Sequence, residues 1–441
     1  MTTEKVFYWN QQRECMPRDQ LEPYQLQKLR EQLAHVGEHS PFYRRKLDAA
    51  GIRPGDIRSM DDVRRIPFTD KEELRLSQAA NPPWGDFGCI TPRQAVRVFQ
   101  TSGTTGRPVR IMLSRKDWHE TFYEQFMHFR CGFGLTEDDV LFVPFNYGMY
   151  IAWWGFQTAM ERAGLMIIPG GGLSSKDRLH GMLDWGATAV CGTPSYLLYL
   201  AETARKNGID LPGSPIRKLV LGGEPGSGIL STKKAMESQW GAKCFDDLGS
   251  TEISNFGYEC VKQQGTHVLE SMFLAELVDP ETLDPLPDGQ VGELVLSNLS
   301  CESMPLIRYR TRDLVRFDRT GCACGRTNLR LDGGVLGRSD DMFHFAGVNI
   351  FPTQIQNLLH EVDEFSQEYQ LVAPPLGSGK HLRIRVEPAN EHLTQVQLKK
   401  ARDFLIEAVK YRITVTPEVE VCEMGSLPRV EGKAKRLIRE V

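Results

Sequence analysis

Short apolar runs that alternate with longer helical stretches constrain the fold of this 441-residue chain more than any other feature of its sequence. Four such runs follow one another; they are residues 140–143 (VLFV), 165–168 (LMII), 189–191 (AVC) and 219–221 (LVL). Each has the length and the β-branched or aliphatic composition of a buried strand. The alternation therefore predicts an α/β fold with a doubly wound parallel sheet.

The length of the chain exceeds what one hydrophobic core usually organises and predicts two or three domains. Residues 1–80 are charged and have helical periodicity, so we interpret them as a helical front subdomain. Residues 270–336 combine strand-like runs with Pro, Gly and Asp turns and predict a β-rich lobe. Both belong to a predicted large N-terminal domain, residues 1–339, which is followed by a small α+β domain at residues 340–441.

Charge and hydropathy exclude two classes of partner. The formal net charge is −4 and the pI is near 6.2, so the chain has no overall electrostatic attraction to nucleic acid or to an anionic membrane. No apolar run reaches the roughly 18 residues that a membrane-spanning helix needs. We therefore expect neither nucleic acid nor a membrane among the partners.

The cysteines indicate the compartment. Most of the ten are scattered singly, as is typical of reduced thiols in a reducing environment. The N-terminal residues 1–18 are polar and charged, unlike a signal peptide. Together these features predict a cytoplasmic location.

A loop rich in glycine and hydroxyl side chains lies between two strand-like runs, residues 96–99 and 109–113. Glycines allow backbone N–H groups to turn toward an anion, and the hydroxyls and Arg107 add donors. The sequence therefore predicts a triphosphate-binding loop, although a tight polar hairpin turn has the same composition. The loop consists of Thr101, Ser102, Gly103, Thr104, Thr105 and Gly106. It is not a Walker loop, because the GxxxxGK[ST] pattern is missing and residues 377–381 (GSGKH) lack the upstream glycine and the hydroxyl.

This loop resembles the phosphate loop of the adenylate-forming superfamily, which includes acyl-CoA synthetases, adenylation domains and luciferase. Further segments resemble its phenylacetate-CoA ligase branch; they are residues 41–44 (PFYR), 66–71 (IPFTDK), 309–313 (YRTRD), 337–342 (GRSDDM) and 347–355 (GVNIFPTQI). The similarity covers nearly the whole chain in one order. It implies a multi-lobed N-terminal domain, a small mobile C-terminal domain, and the use of ATP, Mg²⁺ and coenzyme A.

The resemblance also implies which residues hold the nucleotide. Glu252 matches the acidic residue that helps to hold Mg²⁺, a hard cation that prefers oxygen ligands, and Thr251 would then lie against the α-phosphate. Asp313 matches the carboxylate that accepts hydrogen bonds from both ribose hydroxyls. The other nucleotide-binding residues that we predict are Gly223, Glu224 and Asp247.

Each of these motifs also has an ordinary structural explanation. A hydroxyl residue before glutamate is common at helix caps, and residues 222–225 (GGEP) fit a simple turn. Asp313 also fits an ion pair with Arg310 or Arg312. One position departs from the family, because Leu248 stands where an aromatic residue usually stacks on adenine.

The C-terminal region carries the residues that the resemblance assigns to catalysis and domain movement. Lys433 matches the catalytic lysine, which would bridge the attacking carboxylate and the phosphate. Arg338 falls near the ribose or phosphate, and Asp340 falls at the hinge that lets one site serve two half-reactions. Without that context, Lys433 fits a solvated basic tail at residues 433–439.

The acid-binding segment of the family corresponds to residues 146–155 (NYGMYIAWWG). Aromatic walls favour a flat ring, so the segment predicts an aromatic acid as substrate. We expect Tyr147, Gly148 and Trp153 to line the pocket. Ordinary core packing explains each aromatic side chain equally well.

Three cysteines and one histidine have a spacing that suits structural zinc. Cys260 and His267 lie near each other in sequence, and Cys322 and Cys324 follow later. Three thiolates and an imidazole make a tetrahedral ligand set with no open position for catalysis. We predict a structural zinc site, with free thiols as the alternative.

The leading functional hypothesis is an AMP-forming ligase that activates an aromatic carboxylic acid as acyl-AMP and transfers the acyl group to CoA. A second hypothesis sends the acyl group to the phosphopantetheine thiol of a carrier protein or to an amine. A third is adenylation of a deazaflavin hydroxyl, and a fourth is a non-catalytic nucleotide sensor. Glu252 and Lys433 argue against the sensor. A homodimer is compatible with the sequence.

Overall fold

A computed structural model describes residues 5–101, 107–151, 153–226, 228–345, 348–374, 381–429 and 436–439. Its α-helices are α1 Gln11–Glu14, α2 Arg18–His39, α3 Pro41–Ala49, α4 Met60–Val63, α5 Lys71–Ala80, α6 Phe122–Phe133, α7 Trp154–Arg162, α8 Ser175–Asp184, α9 Pro194–Lys206, α10 Leu230–Trp240, α11 Pro352–Leu359 and α12 Gln395–Ile413. Within these ranges, no helix has the length and apolar character that crossing a membrane requires.

The strands of the N-terminal region are β1 Ala95–Gln100, β2 Arg110–Ser114, β3 Val140–Val143, β4 Met166–Pro169, β5 Ala189–Gly192, β6 Lys218–Gly222, β7 Lys243–Ser250, β8 Ser254–Glu259, β9 Thr266–Val268, β10 Phe273–Val278, β11 Val291–Asn298, β12 Tyr309–Asp318, β13 Arg330–Leu331 and β14 Gly337–Arg338. Those of the C-terminal region are β15 Phe343–Phe345, β16 Val348–Ile350, β17 Phe365–Ala373, β18 Arg383–Pro388, β19 Glu418–Val421 and β20 Leu437–Arg439.

Five parallel strands form the centre of the molecule in the order β7-β6-β5-β3-β4. Four of them contain the apolar runs from which the sequence predicted a parallel sheet, and helices connect them, so the α/β class is confirmed. The strand ends differ from the predicted ones by about a residue. For example, β6 extends to Lys218 and Gly222 on either side of its apolar run, because backbone pairing continues past the last buried side chain.

An antiparallel region continues the same sheet through β8, β9, β13, β12, β11 and β10. The β-rich lobe predicted for residues 270–336 lies within it, but the antiparallel pairing begins earlier, at β8. Strand β7, which is eight residues long, pairs in parallel with β6 on one side and antiparallel with β8 on the other. The change from parallel to antiparallel pairing therefore occurs at β7. The lobe is therefore joined to the parallel sheet by hydrogen bonds.

Different helices cover the two faces of the parallel sheet. On one face, Cys191, Val220 and Phe245 pack in a cluster with the aromatic side chains of α6 and α7. On the opposite face, Val190 and Leu219 pack with α8, α9 and α10. Neighbouring residues such as Val190 and Cys191, or Leu219 and Val220, thus lie on opposite faces of the sheet.

The front helices end at the edge of the β1–β2 hairpin. Helix α5 begins after Asp70, whose side chain accepts a hydrogen bond from the N–H of Glu73 in a capping box. Near the other end of the helix, Gln78 Nε2 donates to the carbonyl of Arg110 at 2.7 Å. Because both ends are fixed, the first residue of α5 has a defined position beside the predicted phosphate loop.

The C-terminal region has a hydrophobic core of its own. Its four-stranded sheet has the order β19-β18-β17-β20, and α11 and α12 pack on it through buried residues such as Ile355, Leu371, Ile384 and Leu405. Helix α11 contacts the start of α10, where His360 Nδ1 lies 3.1 Å from the hydroxyl of Thr232. The described contacts therefore connect this region to the N-terminal region beside the parallel sheet.

Candidate active site

The β1–β2 hairpin brings the two ends of the predicted phosphate loop together. Thr101 N donates to Val109 O at 2.9 Å, and Val109 N donates to Thr101 Oγ1 at 3.0 Å. Arg75, in α5, donates from Nε to the carbonyl of Arg107 at 3.1 Å. The remaining predicted loop residues, Ser102, Gly103, Thr104, Thr105 and Gly106, lie outside the described part of the chain. These contacts fix Thr101, at the start of the loop, and Arg107, directly after its end.

Glu252 and Lys71 form an ion pair at the carboxyl end of β7. Lys71 Nζ, on the first residue of α5, lies 2.7 Å from Glu252 Oε1. The glutamate side chain is only 5% exposed, whereas a third of the lysine is exposed. Thr251 precedes Glu252 directly and is half-buried in the turn that follows β7. Lys71 had no role in the sequence prediction, although its IPFTDK segment carried part of the resemblance.

The buried phenol of Tyr309 marks where the predicted nucleotide residues converge. Burial raises the pKa of Tyr309 above its ordinary value, and charges on Glu252, Asp313 and Arg338 act on the same hydroxyl. Asp70, at the cap of α5, also acts on it. Charged groups from the turn after β7, from β12 and β14 and from the cap of α5 therefore lie near the Tyr309 phenol.

Asp313 lies opposite Arg338 in the β12–β14 pair, and their side chains form an ion pair with an Nη1 to Oδ1 distance of 2.9 Å. Arg338 Nε also lies 2.9 Å from Asp340 Oδ1, so one guanidinium connects the predicted ribose residue to the predicted hinge residue. Burial lowers the pKa of Arg338, but these carboxylates outweigh it and raise the pKa overall. The two arginines near Asp313 in sequence instead pair with Glu293.

A glycine turn follows β6 at the same end of the sheet. Gly223 has a φ of +89°, a conformation that side chains other than glycine rarely adopt. A Cβ there would also lie 3.4 Å from the methyl of Thr193. Glu224 Oε1 accepts a hydrogen bond of 2.7 Å from the N–H of Ser195, at the start of α9. This contact fixes the turn against the neighbouring crossover helix.

The predicted acid-binding segment forms an aromatic wall beside this turn. The rings of Tyr147 and Trp154 have centroids 4.6 Å apart, and Trp154 Nε1 donates to the carbonyl of Gly148 at 3.1 Å. Trp153 is buried with a φ of +54°, which is strained for a tryptophan. Its indole lies 3.4 Å from the position of a Cβ on Gly222. The wall therefore closes the carboxyl end of β6.

Asp247 occupies the interior of the same region. It pairs in register with Gly222 on the neighbouring strand, and its Oδ1 accepts a hydrogen bond from Asn255 Nδ2. Burial raises the pKa of Asp247 to about 7. The carboxyl group lies within hydrogen-bonding distance of one amide and of no described cation.

The four predicted zinc ligands lie together. Their ligand atoms are all within 4.8 Å of one another, and all four residues are buried. Cys260 Sγ lies 3.7 Å from Cys322 Sγ, and Cys324 Sγ lies 3.5 Å from His267 Nε2. A tetrahedral zinc with Zn–S bonds of about 2.3 Å requires sulfur atoms about 3.8 Å apart, so the donor set fits this metal.

The predicted catalytic residue Lys433 lies outside the described residues.

Two family models match the chain in succession. The model of the AMP-binding enzymes matches residues 32–301, and the model of the C-terminal domain of AMP-binding enzymes matches residues 347–440. The first match includes Glu252 and the predicted phosphate loop, and the second includes Lys433.

Known proteins are similar over nearly the full length. The chain is 34% identical to a phenylacetate-coenzyme A ligase of Thermus thermophilus over 96% of this chain and 98% of that protein. It also superposes on a crystal structure of 2-hydroxyisobutyryl-CoA ligase in the postadenylation state with an acyl-AMP bound. That superposition has a TM-score of 0.94 and 30% identity, over 100% of this chain and 94% of the other.

A second state of that ligase superposes less well. In complex with acyl-AMP and CoA in the thioester-forming state, it has a TM-score of 0.74 at 31% identity, over 98% of this chain and 92% of the other. The arrangement of this chain therefore resembles the state that follows adenylation. By its sequence and its fold, the chain belongs to the AMP-binding enzyme family, as an AMP-forming acyl-CoA ligase related to the phenylacetate-CoA ligases.

Proposed function

We propose that this enzyme activates an aromatic carboxylic acid with Mg·ATP and transfers the acyl group to the thiol of CoA. The observation that carries the proposal is the aromatic wall of Tyr147, Trp153 and Trp154 at the carboxyl end of the parallel strands. Ligands of open α/β sheets bind at this end, and flat aromatic walls favour a flat ring. The phenylacetate-CoA ligase relatives support the same substrate class.

The nucleotide would lie between the front helices and the carboxyl end of the sheet. Asp313 would accept hydrogen bonds from the ribose hydroxyls, and Arg338, now paired with it, would hold the ribose or phosphate. Glu252 is the residue that would hold Mg²⁺, which neutralises phosphate charge and fixes the triphosphate. The loop of residues 101–106 would bind the phosphates, and Thr251 would contact the α-phosphate.

We also propose that residues 340–441 move as a unit relative to residues 1–339. Asp340 would be the hinge, since it is the first residue of the predicted small domain and its carboxylate pairs with Arg338 of the large domain. Adenylation requires Lys433 in the cleft, and thioester formation requires it withdrawn so that the thiol can enter. The two superpositions with different states of one ligase support such a movement.

Zinc bound by Cys260, His267, Cys322 and Cys324 would stabilise the antiparallel region. Four protein ligands complete a tetrahedral site, so the metal would take no part in catalysis. We propose a cytoplasmic location, because none of the ten cysteines forms a disulfide and zinc thiolates persist in a reducing compartment.

The substrate class is tested with a panel of benzoates, phenylacetates, heteroaromatic acids and small aliphatic acids that includes 2-hydroxyisobutyrate. Pyrophosphate release and the mass of the CoA adduct are measured for each acid. We expect the best aromatic acid to exceed the best aliphatic acid by at least about tenfold in kcat/KM, since each unfilled methylene-sized space costs about 1 kcal/mol or more. A preference for 2-hydroxyisobutyrate would contradict the aromatic assignment. Acyl-AMP formation without any CoA adduct would indicate another acceptor.

Lys71 is expected to support Glu252 until Mg·ATP binds. In Lys71→Met, the buried carboxylate loses its cation, which costs about 3–5 kcal/mol for a buried pair and less for this partly exposed one. The apparent melting temperature should therefore fall without Mg·ATP and recover more on adding it than in the unaltered enzyme. The kcat/KM for ATP in pyrophosphate exchange should fall by about 10- to 100-fold.

The matched control for this variant is Lys218→Met. Lys218 Nζ also lies close to a largely buried carboxylate, that of Asp139 at 2.8 Å, but this pair is at the amino ends of β3 and β6, whereas Glu252 follows the carboxyl end of β7. We expect its kcat/KM for ATP in pyrophosphate exchange to stay within about twofold of that of the unaltered enzyme, because a partly exposed ion pair contributes little. Equal effects of the two substitutions on exchange would show that Lys71 has only a structural role.

A further inference from the structure

Among the residues that the structure describes, Asp247 is a buried acid without a basic partner. Its side chain is 5% exposed, and in the described part of the chain it receives one hydrogen bond, from the Asn255 amide to Oδ1. Oδ2 has no such partner there. Burying a carboxyl group without full hydrogen bonding is costly, which is why desolvation raises the pKa of this group to about 7. Such a group at the carboxyl end of a parallel strand requires an explanation other than stability.

The strand register shows which face of the sheet this side chain occupies. Phe245 and Asp247 are two residues apart in β7, so both lie on the face of the sheet that is covered by α6 and α7. Gly222 is directly beside Asp247 in β6, and the indole of Trp153 packs on Gly222. The carboxyl group therefore lies next to the aromatic wall and away from the face that carries α8, α9 and α10.

A second uncompensated polar group belongs to the wall itself. The hydroxyl of Tyr147 is buried and has no hydrogen-bond partner among the described residues. Burial raises the pKa of Tyr147, so the phenol stays protonated and can donate or accept a hydrogen bond. Cys191, at the end of β5, belongs to the cluster against which Tyr147 packs, and it is in register with Val220, two residues before the Gly222 that lies beside Asp247. The two polar groups thus flank the same short segment of the sheet edge.

We propose that the acyl pocket selects acids that carry an N–H donor, either an amino substituent or a ring N–H, and that this donor binds the carboxylate of Asp247. The hydroxyl of Tyr147 supplies a second polar contact to the same substituent. This inference rests on the proposed function, because it assumes that the aromatic wall binds the acid. It assigns Asp247 to the acid, whereas the sequence motif had assigned it to the nucleotide.

The physical basis of the selection is the cost of leaving buried polar groups unpaired. An acid with a plain hydrocarbon ring would leave both Asp247 Oδ2 and the buried Tyr147 hydroxyl without a partner, whereas an N–H group would supply one. Sites built to bind a polar group reject analogues that lack it far more strongly than apolar pockets reject a missing methylene. Amino-substituted acids and N–H heteroaromatic acids should therefore have a higher kcat/KM than isosteres that lack the N–H group.

The test compares the three aminobenzoates with the three methylbenzoates, and pyrrole-2-carboxylate with furan-2-carboxylate, by kcat/KM in ATP–pyrophosphate exchange. We expect at least one N–H acid to exceed its matched partner by about 100-fold or more. In Asp247→Asn this ratio should fall to about tenfold or less. The kcat/KM of the methyl or furan partner should stay the same or rise.

The matched control is Asp246→Asn, which makes the same change at the preceding residue of β7. Alternation directs Asp246 to the opposite face of the sheet, and a Cβ on Gly334 would lie 2.9 Å from its Oδ2. This variant should keep the ratio of the unaltered enzyme. Melting curves of both variants check that each is folded, and Tyr147→Phe, which retains the ring, provides a second measurement of the ratio.

Each outcome has one interpretation. If hydrocarbon acids are activated as well as their N–H partners, and neither Asp247→Asn nor Tyr147→Phe changes the ratio, the inference is overturned and the aromatic substrate class stands. If no aromatic acid of either series supports exchange while an aliphatic acid does, the proposed function itself fails, and the inference fails with it.

Discussion

Replacing Lys433 with alanine is expected to slow acyl-adenylate formation by about two to three orders of magnitude, as the loss of one preorganised charge in an active site commonly does. Formation of the thioester from preformed acyl-AMP and CoA should change by less than about threefold. We expect this difference because charge develops between the carboxylate and the α-phosphate only in the first half-reaction, whereas in the proposed domain movement the lysine is withdrawn for the second.

The described flanks of the lysine segment support this expectation. Before it, Arg429 Nη2 lies 2.6 Å from the buried carboxylate of Glu387. After it, Arg436 pairs with Glu368, and β20 pairs in parallel with β17. The described residues on both sides of the lysine segment are therefore fixed to the C-terminal sheet, so any rotation of that sheet would move both of them together.

The measurement is pyrophosphate exchange for the first half-reaction and CoA-adduct mass from synthetic acyl-AMP for the second. Lys435→Ala, two residues along the same basic segment, is the matched control and should leave both rates within about twofold. If Lys433→Ala slows both half-reactions equally, or neither, the lysine does not have the role that the family motif assigns to it.

The central sheet was predictable because its information is local. Runs of buried aliphatic residues predicted four parallel strands within about one residue, since strand formation and burial coincide in the middle of a doubly wound sheet. The cysteine cluster was also predicted, because few arrangements other than a metal site explain that set of residue types. Sequence patterns of this kind need no knowledge of what lies across the molecule.

Contacts between distant segments were not predictable. The sequence neighbours of Asp313 suggested a local ion pair, but the register of β12 with β14 places Arg338 opposite it instead. In the same way, Lys71 reaches Glu252 only because α5 is fixed against the β1–β2 hairpin. The strained backbone of Trp153 also depends on packing against the sheet, which no local pattern expresses.

Replacing Cys324 with serine is expected to remove zinc and to destabilise the enzyme by several kcal/mol, with a fall in melting temperature on the order of 10 °C. The turn that holds Cys324 also holds the N-terminal segment, since Tyr8 donates a hydrogen bond to the Cys324 carbonyl. Arg326 Nε lies 2.6 Å from the carboxylate of Glu14, and both are almost fully buried. Loss of the metal would therefore release two chain segments together.

The control for this variant is Cys422→Ser, the same chemical change at a partly buried thiol outside the cluster. The purified enzyme should contain about one zinc per chain by elemental analysis, and the control should keep both the metal and the melting temperature. A chelator should lower the melting temperature of the unaltered enzyme toward that of Cys324→Ser.

The proposed zinc site should also affect adenylation, although its four ligands are not among the residues proposed to hold the acid or the nucleotide. Cys260 follows directly after β8, and β8 pairs with the end of β7 that leads to Glu252. Loss of the metal would loosen this pairing and so misplace the carboxylate, which lowers the exchange rate at temperatures well below unfolding. If the purified enzyme contains no zinc, and Cys324→Ser melts and exchanges pyrophosphate like Cys422→Ser, the four residues are free thiols and β8 is held by packing alone.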